Sequence, residues 1–260
     1  MDLGLQGRVV VVSGAARGIG AAVVRGFAFE GARVAVLDRD VAAGESLSRE
    51  IPGSLFVPVD LTSENACYEA IRTVQGAMGC IAVLVNNAGV NDSVPLDGSP
   101  LDFSASLRRN LQHVFELTHW SREDLIRSRG AIINIGSKVA TTGQGGTSGY
   151  AAAKGAIHAL TREWAAALAR EGVRVNAVIP AECDSDQYRQ WFARQADPQA
   201  ARNQVAALIP LEKRLTRPDE IADAVVWLAS ERSSHVTGQL LYVDGGYTHL
   251  DRALTSSHQW

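Results

Sequence analysis

Two side chains that could move a proton lie four residues apart in the sequence. Tyr150 and Lys154 fall in the segment YAAAKGAIHALTREWAAALAR, whose alanines and leucines predict a helix. A separation of four residues puts both side chains on one face of that helix. Because a nearby ammonium favours the phenolate, we expect a lowered pKa for Tyr150 and a role as general acid and base. Considered alone, the pair fits an ordinary amphipathic helix with a surface tyrosine and lysine better than it fits an active site.

A hydroxyl group strengthens the hypothesis of an active site. Ser137 ends the apolar run GAIINIGS (130–137), which predicts a strand. Open α/β folds bind ligands at the carboxyl edge of their parallel strands, so Ser137 could hold a substrate oxygen against Tyr150. This arrangement suits hydride transfer, in which Tyr150 takes the alcohol proton while a hydride leaves the same carbon for a nicotinamide ring.

A glycine cluster follows the first predicted strand. Gly14, Gly18 and Gly20 open the next helix, where backbone N–H groups can reach a pyrophosphate at the positive end of the helix. The spacing is wider than in the G-x-G-x-x-G fingerprint, so a purely structural turn is the alternative.

An acidic residue ends the second predicted strand, about 20 residues past the glycine loop, where a carboxylate can accept hydrogen bonds from ribose hydroxyls. This residue, Asp38, favours NAD over NADP, because a 2′-phosphate would meet a like charge. Arg17 and Arg39 leave NADP as the alternative, since either guanidinium could pair with a phosphate.

Short apolar runs alternate with segments of helical period, a pattern typical of βαβ units. We predict a Rossmann-type, doubly wound α/β fold whose seven-stranded parallel sheet has helices on both faces. The predicted strands are residues 8–13, 33–38, 54–60, 81–87, 130–137, 173–180 and 239–246. We expect residues 1–260 to form a single NAD(P)-binding domain, in which the long insertion 181–210 is a substrate lid.

Composition argues against several other classes of protein. The net charge of −3 leaves no basic excess for nucleic acid, and no apolar run is long enough for a membrane span. The N-terminus lacks a basic region followed by an apolar run, so we expect a cytoplasmic protein. Cys67, Cys80 and Cys183 lack metal-like spacing, and we predict neither a metal site nor a disulfide framework.

Seven motifs occur in a characteristic order: SGAARGIG (13–20), Asp60, NNAG (86–89), Asn110, Ser137, YAAAK (150–154) and NAVIP (176–180). In these motifs the chain resembles the short-chain dehydrogenases/reductases. The resemblance implies that Ser137, Tyr150 and Lys154 are catalytic and that Asn110 completes a tetrad by holding a proton-relay water. Ser13 stands where threonine is commoner, and Gly136 replaces a frequent serine.

The same resemblance, together with the glycine loop and Asp38, implies a set of cofactor-binding residues. This set is Gly14, Arg17, Gly18, Ile19, Gly20, Asp38, Arg39, Asp60, Leu61, Asn87, Ala88, Gly89, Tyr150, Lys154, Pro180 and Ala181.

The residues expected around the substrate are unusually polar: Asn91, Ser137, Lys138, Thr142, Gln144, Ser148, Tyr150, Glu182, Tyr188 and Trp191. A steroid or long acyl chain would leave many of these groups unpaired, at about 1–3 kcal/mol each, whereas a polyhydroxylated ligand would satisfy them. The alternative interpretation is that Lys138 and Glu182 are solvated surface charges and that Trp191 packs inside the lid.

Longer segments are similar to the bacterial L-fucose dehydrogenases of this family, among them NNAGVNDSVPLDGS, GSKVATTGQGGTSGYAAAKGA and VRVNAVIPAE. The resemblance implies an NAD-dependent sugar 1-dehydrogenase that oxidises L-fucose, L-galactose or D-arabinose to its lactone, with Lys138, Gln144 and Glu182 as sugar contacts. The segment CDSDQY (183–188) departs from that pattern. The alternatives are an NADP-dependent carbonyl or 3-oxoacyl reductase and a non-catalytic NAD-binding module.

Resemblance also implies a homotetramer in which helices 101–128 and 150–171 pair across two-fold axes, with the alanine-rich surface Ala165 to Ala169 permitting close approach. We expect the tail after Gly246, with Tyr247, Leu250 and Trp260, to dock on a neighbouring subunit or near a pocket.

Overall fold

Seven parallel strands form one sheet in the computed structural model, which describes residues 2–250. The sheet order β3-β2-β1-β4-β5-β6-β7 confirms the predicted Rossmann-type fold. The strands are β1 (Val9–Ser13), β2 (Arg33–Asp38), β3 (Leu55–Pro58), β4 (Ile81–Asn86), β5 (Ala131–Ile135), β6 (Arg174–Pro180) and β7 (Leu240–Val243).

Helices connect these strands on both faces of the sheet. They are α1 (Gly18–Phe29), α2 (Val41–Glu50), α3 (Ala66–Met78), α4 (Pro100–Leu107), α5 (His113–Ser128), α6 (Val139–Thr142), α7 (Ser148–Leu168), α8 (Asp186–Ala193), α9 (Pro198–Ala207) and α10 (Pro218–Ala229). A π-helical turn, Arg108–Gln112, joins α4 to α5. No helix within residues 2–250 has the length and apolar character needed to cross a membrane.

Two apolar clusters cover the two faces of the sheet. On one face, α1 and α10 pack against the strands through residues such as Phe27 and Val225. On the other face, α3, α5 and α7 contribute Val74, Leu117 and Leu168. The strand order reverses between β1 and β4, and a crevice opens at the carboxyl ends of strands at such a switch point. The fold therefore places a ligand site beside the ends of β1 and β4.

A buried polar network connects the sheet to α7. Asn86 Nδ2 donates to Asn134 Oδ1 at 2.9 Å and to Thr118 Oγ1 at 3.2 Å. Asn134 Nδ2 in turn donates to Thr161 Oγ1 at 2.9 Å. Because unpaired amides are costly in the interior, this network fixes α7 in one position relative to β4 and β5.

The insertion 181–210 contains α8 and α9, which are held together by one carboxylate. Asp184 accepts hydrogen bonds from both Nη atoms of Arg202, at 3.0 and 2.9 Å, and from Arg189 Nε at 3.2 Å. These bonds lower the pKa of Asp184, with Arg202 making the largest contribution. The alternative interpretation that Trp191 packs inside the lid is wrong, because Trp191 is 46% exposed and its neighbour Phe192 is buried instead.

The alanine-rich stretch of α7 is only partly a surface. Ala165 is buried in the cluster that contains Leu117 and Leu168, which corrects the expectation that Ala165 to Ala169 all face outward. Ala166, Ala167 and Ala169 are exposed. Trp260, part of the expected docking tail, lies outside the described residues.

Candidate active site

The glycine loop between β1 and α1 allows the backbone to approach its neighbours closely. A Cβ atom on Gly14 would lie 2.7 Å from Ala88 Cα, and one on Gly20 would overlap the carbonyl oxygen of Gly14. Gly14 and Gly18 also have φ angles of +60° and +54°, which favour glycine. The loop therefore requires these glycines, and its N–H groups lie at the N-terminal end of α1, as a pyrophosphate requires.

A single hydroxyl links the ends of β1 and β4 at the switch point. Ser13 Oγ accepts hydrogen bonds from the backbone N–H groups of Asn87 and Ala88, both at 3.1 Å. Asn87 Nδ2 donates to the carbonyl oxygens of Ser13 and Gly14, at 2.9 and 2.8 Å. These bonds fix the crevice in which a dinucleotide would lie. The sequence predicted Asn87 and Ala88 in this region, but gave Ser13 no role beyond replacing threonine.

The carboxylate of Asp38 is held at the end of β2 by two backbone N–H groups. Ala16 N donates to one oxygen and Asp40 N to the other, each at 2.9 Å. Each carboxylate oxygen has a second lone pair, which can accept a ribose hydroxyl. The structure therefore fits the predicted ribose contact of Asp38.

Arg17 and Arg39, which left NADP as the alternative cofactor, lie in different surroundings. Arg17 Nε donates to Asp40 Oδ2 at 2.8 Å, so its guanidinium is already paired with a carboxylate. Arg39 lines a cavity of about 390 Å³ together with Thr62 and Arg108. Near this cavity, bonds from the Thr62 N–H and hydroxyl lower the pKa of Asp60 and keep it ionised.

The remaining predicted cofactor residues lie near the start of α1 or at or after the carboxyl ends of strands. Ile19 lies in α1, Leu61 follows Asp60, Pro180 ends β6 and Ala181 follows it; Ile19, Leu61 and Ala181 are half-buried. Ala16, Arg17 and Gly18 also line a groove of about 1010 Å³ between α1 and α10 that reaches Asp186 in α8. The glycine cradle and the ribose-facing carboxylate together fit a dinucleotide.

Tyr150 and Lys154 both lie on α7, and burial dominates their protonation. Burial raises the pKa of Tyr150 to about 12, although a hydrogen bond with Ser137 acts in the opposite direction. Burial likewise lowers the pKa of Lys154 to about 8. The expectation that Lys154 lowers the Tyr150 pKa is therefore wrong in this structure: the Lys154 Nζ lies 5.6 Å from the ring centroid and does not offset burial.

Lys154 and Asn110 meet beside Gly89. Lys154 Nζ donates to the carbonyl oxygen of Ile135 at 2.7 Å, and Asn110 Oδ1 accepts from Val90 N at 2.7 Å. A Cβ on Gly89 would lie 3.2 Å from Asn110 Oδ1 and 3.6 Å from Lys154 Nζ. Asn110 belongs to the π-helical turn, a distortion that often marks functional sites. The structure thus brings together the four residues of the predicted tetrad.

An imidazole packs against the residue that precedes Ser137. A Cβ on Gly136 would lie 2.6 Å from His158 Nε2 and would overlap Ile179 Cδ1. His158 is buried, and burial lowers its pKa to about 4, so the ring is neutral near pH 7. The sequence identified Gly136 as a departure from serine, but no pattern linked that departure to a histidine 22 residues later.

Lys138 and Glu182 form a buried ion pair at the carboxyl ends of β5 and β6. Lys138 Nζ also lies 3.8 Å from the centroid of the Tyr247 ring. Glu182 Oε2 is buried and has no hydrogen-bond partner within the described part of the chain. The solvated-surface interpretation of these two residues is therefore wrong. Tyr247, which the sequence placed only in a docking tail, completes this cluster.

The other predicted substrate residues lie in more open positions. Gln144 is exposed in a turn of three glycines with positive φ, and Ser148, which begins α7, is half-buried. Asn91 is half-buried and accepts a hydrogen bond from Ser93 N at 3.2 Å. Tyr188 contacts Trp191 and Phe192 on α8, with ring centroids 6.2 and 5.7 Å away.

Comparison with known proteins agrees with this geometry. A family model described as enoyl-(acyl carrier protein) reductase matches residues 14–248. The chain belongs to the short-chain dehydrogenase/reductase family. It is 38% identical to an L-fucose dehydrogenase of Mus musculus, over 93% of this chain and 88% of that protein. It is 36% identical to the 3-oxoacyl-[acyl-carrier-protein] reductase FabG of Thermotoga maritima, over 93% and 98%.

Two solved structures of the family are also similar. The crystal structure of Cj0485 dehydrogenase has a TM-score of 0.94 and 38% identity, over 97% of this chain and 98% of that one. The aldohexose dehydrogenase of Thermoplasma acidophilum, in ligand-free form, has a TM-score of 0.88 and 30% identity, over 96% and 98%. The chain is thus an NAD(P)-dependent oxidoreductase that acts on alcohol or carbonyl groups.

The contact between Gly136 and His158 predicts that a serine at position 136, which is frequent in the family, would destabilise the fold. Gly136→Ser should lower the free energy of unfolding by about 1–3 kcal/mol, because the new side chain overlaps Ile179 and His158. Denaturant unfolding measures this cost. The control Gly76→Ala, at a helical position with no atom within 4 Å of the new Cβ, should be neutral or stabilising by up to about 1 kcal/mol. Wild-type stability of Gly136→Ser would contradict the packing described.

Proposed function

We propose that this enzyme is an NAD-dependent sugar 1-dehydrogenase that oxidises L-fucose, L-galactose or D-arabinose to the corresponding lactone. The observation that carries the proposal is the buried pair Lys138–Glu182 at the carboxyl ends of β5 and β6, which leaves one carboxylate oxygen without a partner in the described structure. A sugar hydroxyl can donate to that oxygen and accept from the lysine. The similarity to an L-fucose dehydrogenase and an aldohexose dehydrogenase supports the same substrate class.

In the proposed oxidation, Tyr150 Oη removes the anomeric hydroxyl proton while Ser137 Oγ holds the same oxygen. The electron pair of the O–H bond becomes the new C=O bond, while the anomeric hydrogen leaves the same carbon as hydride. Bound NAD supplies the hydride acceptor and a positive charge on its ring. Lys154 would bind the ribose hydroxyls, and a water held by Asn110 would pass the proton to solvent.

Asp38 supports NAD as the cofactor in this proposal. A 2′-phosphate on the ribose would approach a carboxylate that is fixed by Ala16 N and Asp40 N. The second candidate is an NADP-dependent carbonyl or 3-oxoacyl reductase, which the exposed Arg39 and the similarity to FabG favour. A 3-oxoacyl chain has no hydroxyl besides the reacting oxygen to offer Glu182 Oε2, and for that reason we prefer the sugar.

We extend the proposal to two features of organisation. Residues 181–210 would form the substrate lid, because Ser185, at the start of α8, lies close to Gly18 of the glycine loop: a Cβ on Gly18 would be 3.6 Å from Ser185 Cβ.

The protein would be a homotetramer, since α4 and α5 expose Leu101, Phe115 and Trp120.

The substrate proposal is tested by initial rates of NADH formation over a panel of aldoses and simple alcohols, each with NAD and with NADP. We expect the highest kcat/KM with NAD and an L-fucose-type aldose, and at least about a tenfold preference for NAD. The variant Glu182→Gln should raise the KM for the sugar while leaving the Kd for NAD unchanged. Higher kcat/KM with NADP and a 3-oxoacyl substrate would favour the reductase instead.

Tyr150→Phe tests the proposed acid/base. Because only the hydroxyl is lost, kcat should fall by about 10²–10⁴-fold or more while the Kd for NADH, measured by fluorescence, stays near the wild-type value. The control Tyr68→Phe removes a hydroxyl from α3, away from the site, and should keep full activity. An active Tyr150→Phe enzyme would overturn the assignment.

A further inference from the structure

We propose that Asp92 and Arg109 form an ion pair that sets the protonation of Tyr150, and with it the pH range over which the enzyme oxidises its substrate. This inference rests on the proposed role of Tyr150 as acid/base. It assigns Asp92 and Arg109 as positioning residues, which act on the reaction through Tyr150.

The two side chains are joined by two hydrogen bonds, and the carboxylate is largely shielded from water, whereas the Arg109 side chain is 39% exposed. Arg109 Nε and Nη2 donate to Asp92 Oδ2 at 3.0 and 2.7 Å, and Ser106 Oγ donates to Asp92 Oδ1 at 2.8 Å. The Asp92 side chain is 12% exposed. Two hydrogen bonds from Arg109 and one from Ser106 reach a carboxylate with little exposure to water, and together they fix its orientation.

Contacts connect this carboxylate to the elements that carry Tyr150 and Asn110. A Cβ on Gly149 would lie 2.5 Å from Ser106 Oγ, so α4 touches α7 one residue before Tyr150, through the serine that binds Asp92. Arg109 directly precedes Asn110 in the π-helical turn. Ser148 N also donates to the carbonyl oxygen of Val94 at 2.6 Å, which ties the loop carrying Asp92 to the start of α7.

The charges of the pair oppose each other at Tyr150. After burial and the Ser137 hydrogen bond, the negative charge of Asp92 is the next influence on the tyrosine, and it raises the pKa. The guanidinium of Arg109, bonded to that carboxylate, supplies the compensating positive charge. Removing either partner would therefore leave one uncompensated charge on the group that Ser106 connects to Gly149, the residue before Tyr150.

Other charged or titratable groups come from the elements at this end of the sheet. They include Lys154 and His158 from α7, His113 from α5, Lys138 after β5, and Glu182 after β6. Burial lowers the pKa of both histidines to about 4, so they are neutral near pH 7. Lys138 and Glu182 are paired with each other, and Lys154 faces the tyrosine directly.

The proposal predicts opposite effects of the two single substitutions. Asp92→Asn keeps an oxygen for Ser106 but leaves Arg109 positive, so the acid limb of the kcat/KM profile for sugar oxidation should move to lower pH. Arg109→Gln leaves Asp92 negative, and the limb should move to higher pH. The double variant should return close to the wild-type limb, because both charges are gone. Initial rates with saturating NAD and the best sugar of the panel, over a pH series, measure all three limbs.

Matched controls separate this proposal from a structural role. Arg25→Gln and Glu50→Gln break an exposed ion pair on α1 and α2, with an N–O distance of 2.8 Å, and should leave the limb unmoved. Limbs that move in the same direction for Asp92→Asn and Arg109→Gln, or that do not move while kcat falls, would show that the pair only holds the loop. If Tyr150→Phe is inactive but the Asp92 and Arg109 variants leave the acid limb unmoved, only this inference fails. If Tyr150→Phe is active, the proposed function fails.

Discussion

The physical constraint on which the rest of the site depends is the burial of Lys154 and the partial burial of Tyr150 on one face of α7. Loss of water favours the neutral form of each group, so the pKa of the phenol rises to about 12 and that of the ammonium falls to about 8. A phenol in that state is a poor base at neutral pH. The proposed chemistry therefore needs positive charge close to the phenol ring of Tyr150. In the proposed reaction, bound NAD would provide that charge.

The scaffold serves this constraint by fixing the elements that surround α7. The amides of Asn86 and Asn134 bind across β4 and β5 to Thr161, and Ser13 binds the end of β1 to the end of β4. His158 fills the space left by Gly136 beside Ser137. A tyrosine fixed in this way loses little conformational freedom when the reaction begins. Such preorganised groups supply much of the electrostatic stabilisation of a transition state.

Much of the fold and of the candidate site could be predicted from the sequence. Alternation of apolar runs and helical segments predicts the sheet, because a segment with the hydrophobic pattern of a strand does not have that of an amphipathic helix. Each observed strand falls inside its predicted run. The four residues of the proposed tetrad could be singled out because their spacing repeats a family pattern. The predicted limits of β7 were too long, since Asp244, Gly245 and Gly246 leave the strand to form a turn.

What the sequence could not predict depends on contacts between distant segments. Tyr247 beneath Lys138, His158 against Gly136 and Arg109 on Asp92 involve side chains whose separation in sequence carries no periodic signal. The sign of the Tyr150 pKa shift was wrong for a related reason: spacing identified the neighbouring ammonium, whereas the degree of burial is a property of the folded chain. Ala165 was misplaced on the surface in the same way.

The most direct measurement is an ultraviolet titration of the phenolate of Tyr150, taken as the difference between the wild-type protein and Tyr150→Phe. We predict that in the protein alone this tyrosine ionises only near its pKa of about 12, and that saturating NAD shifts the transition to lower pH. Ionisation near neutral pH in the protein alone, unchanged by NAD, would contradict the claim that burial controls this group.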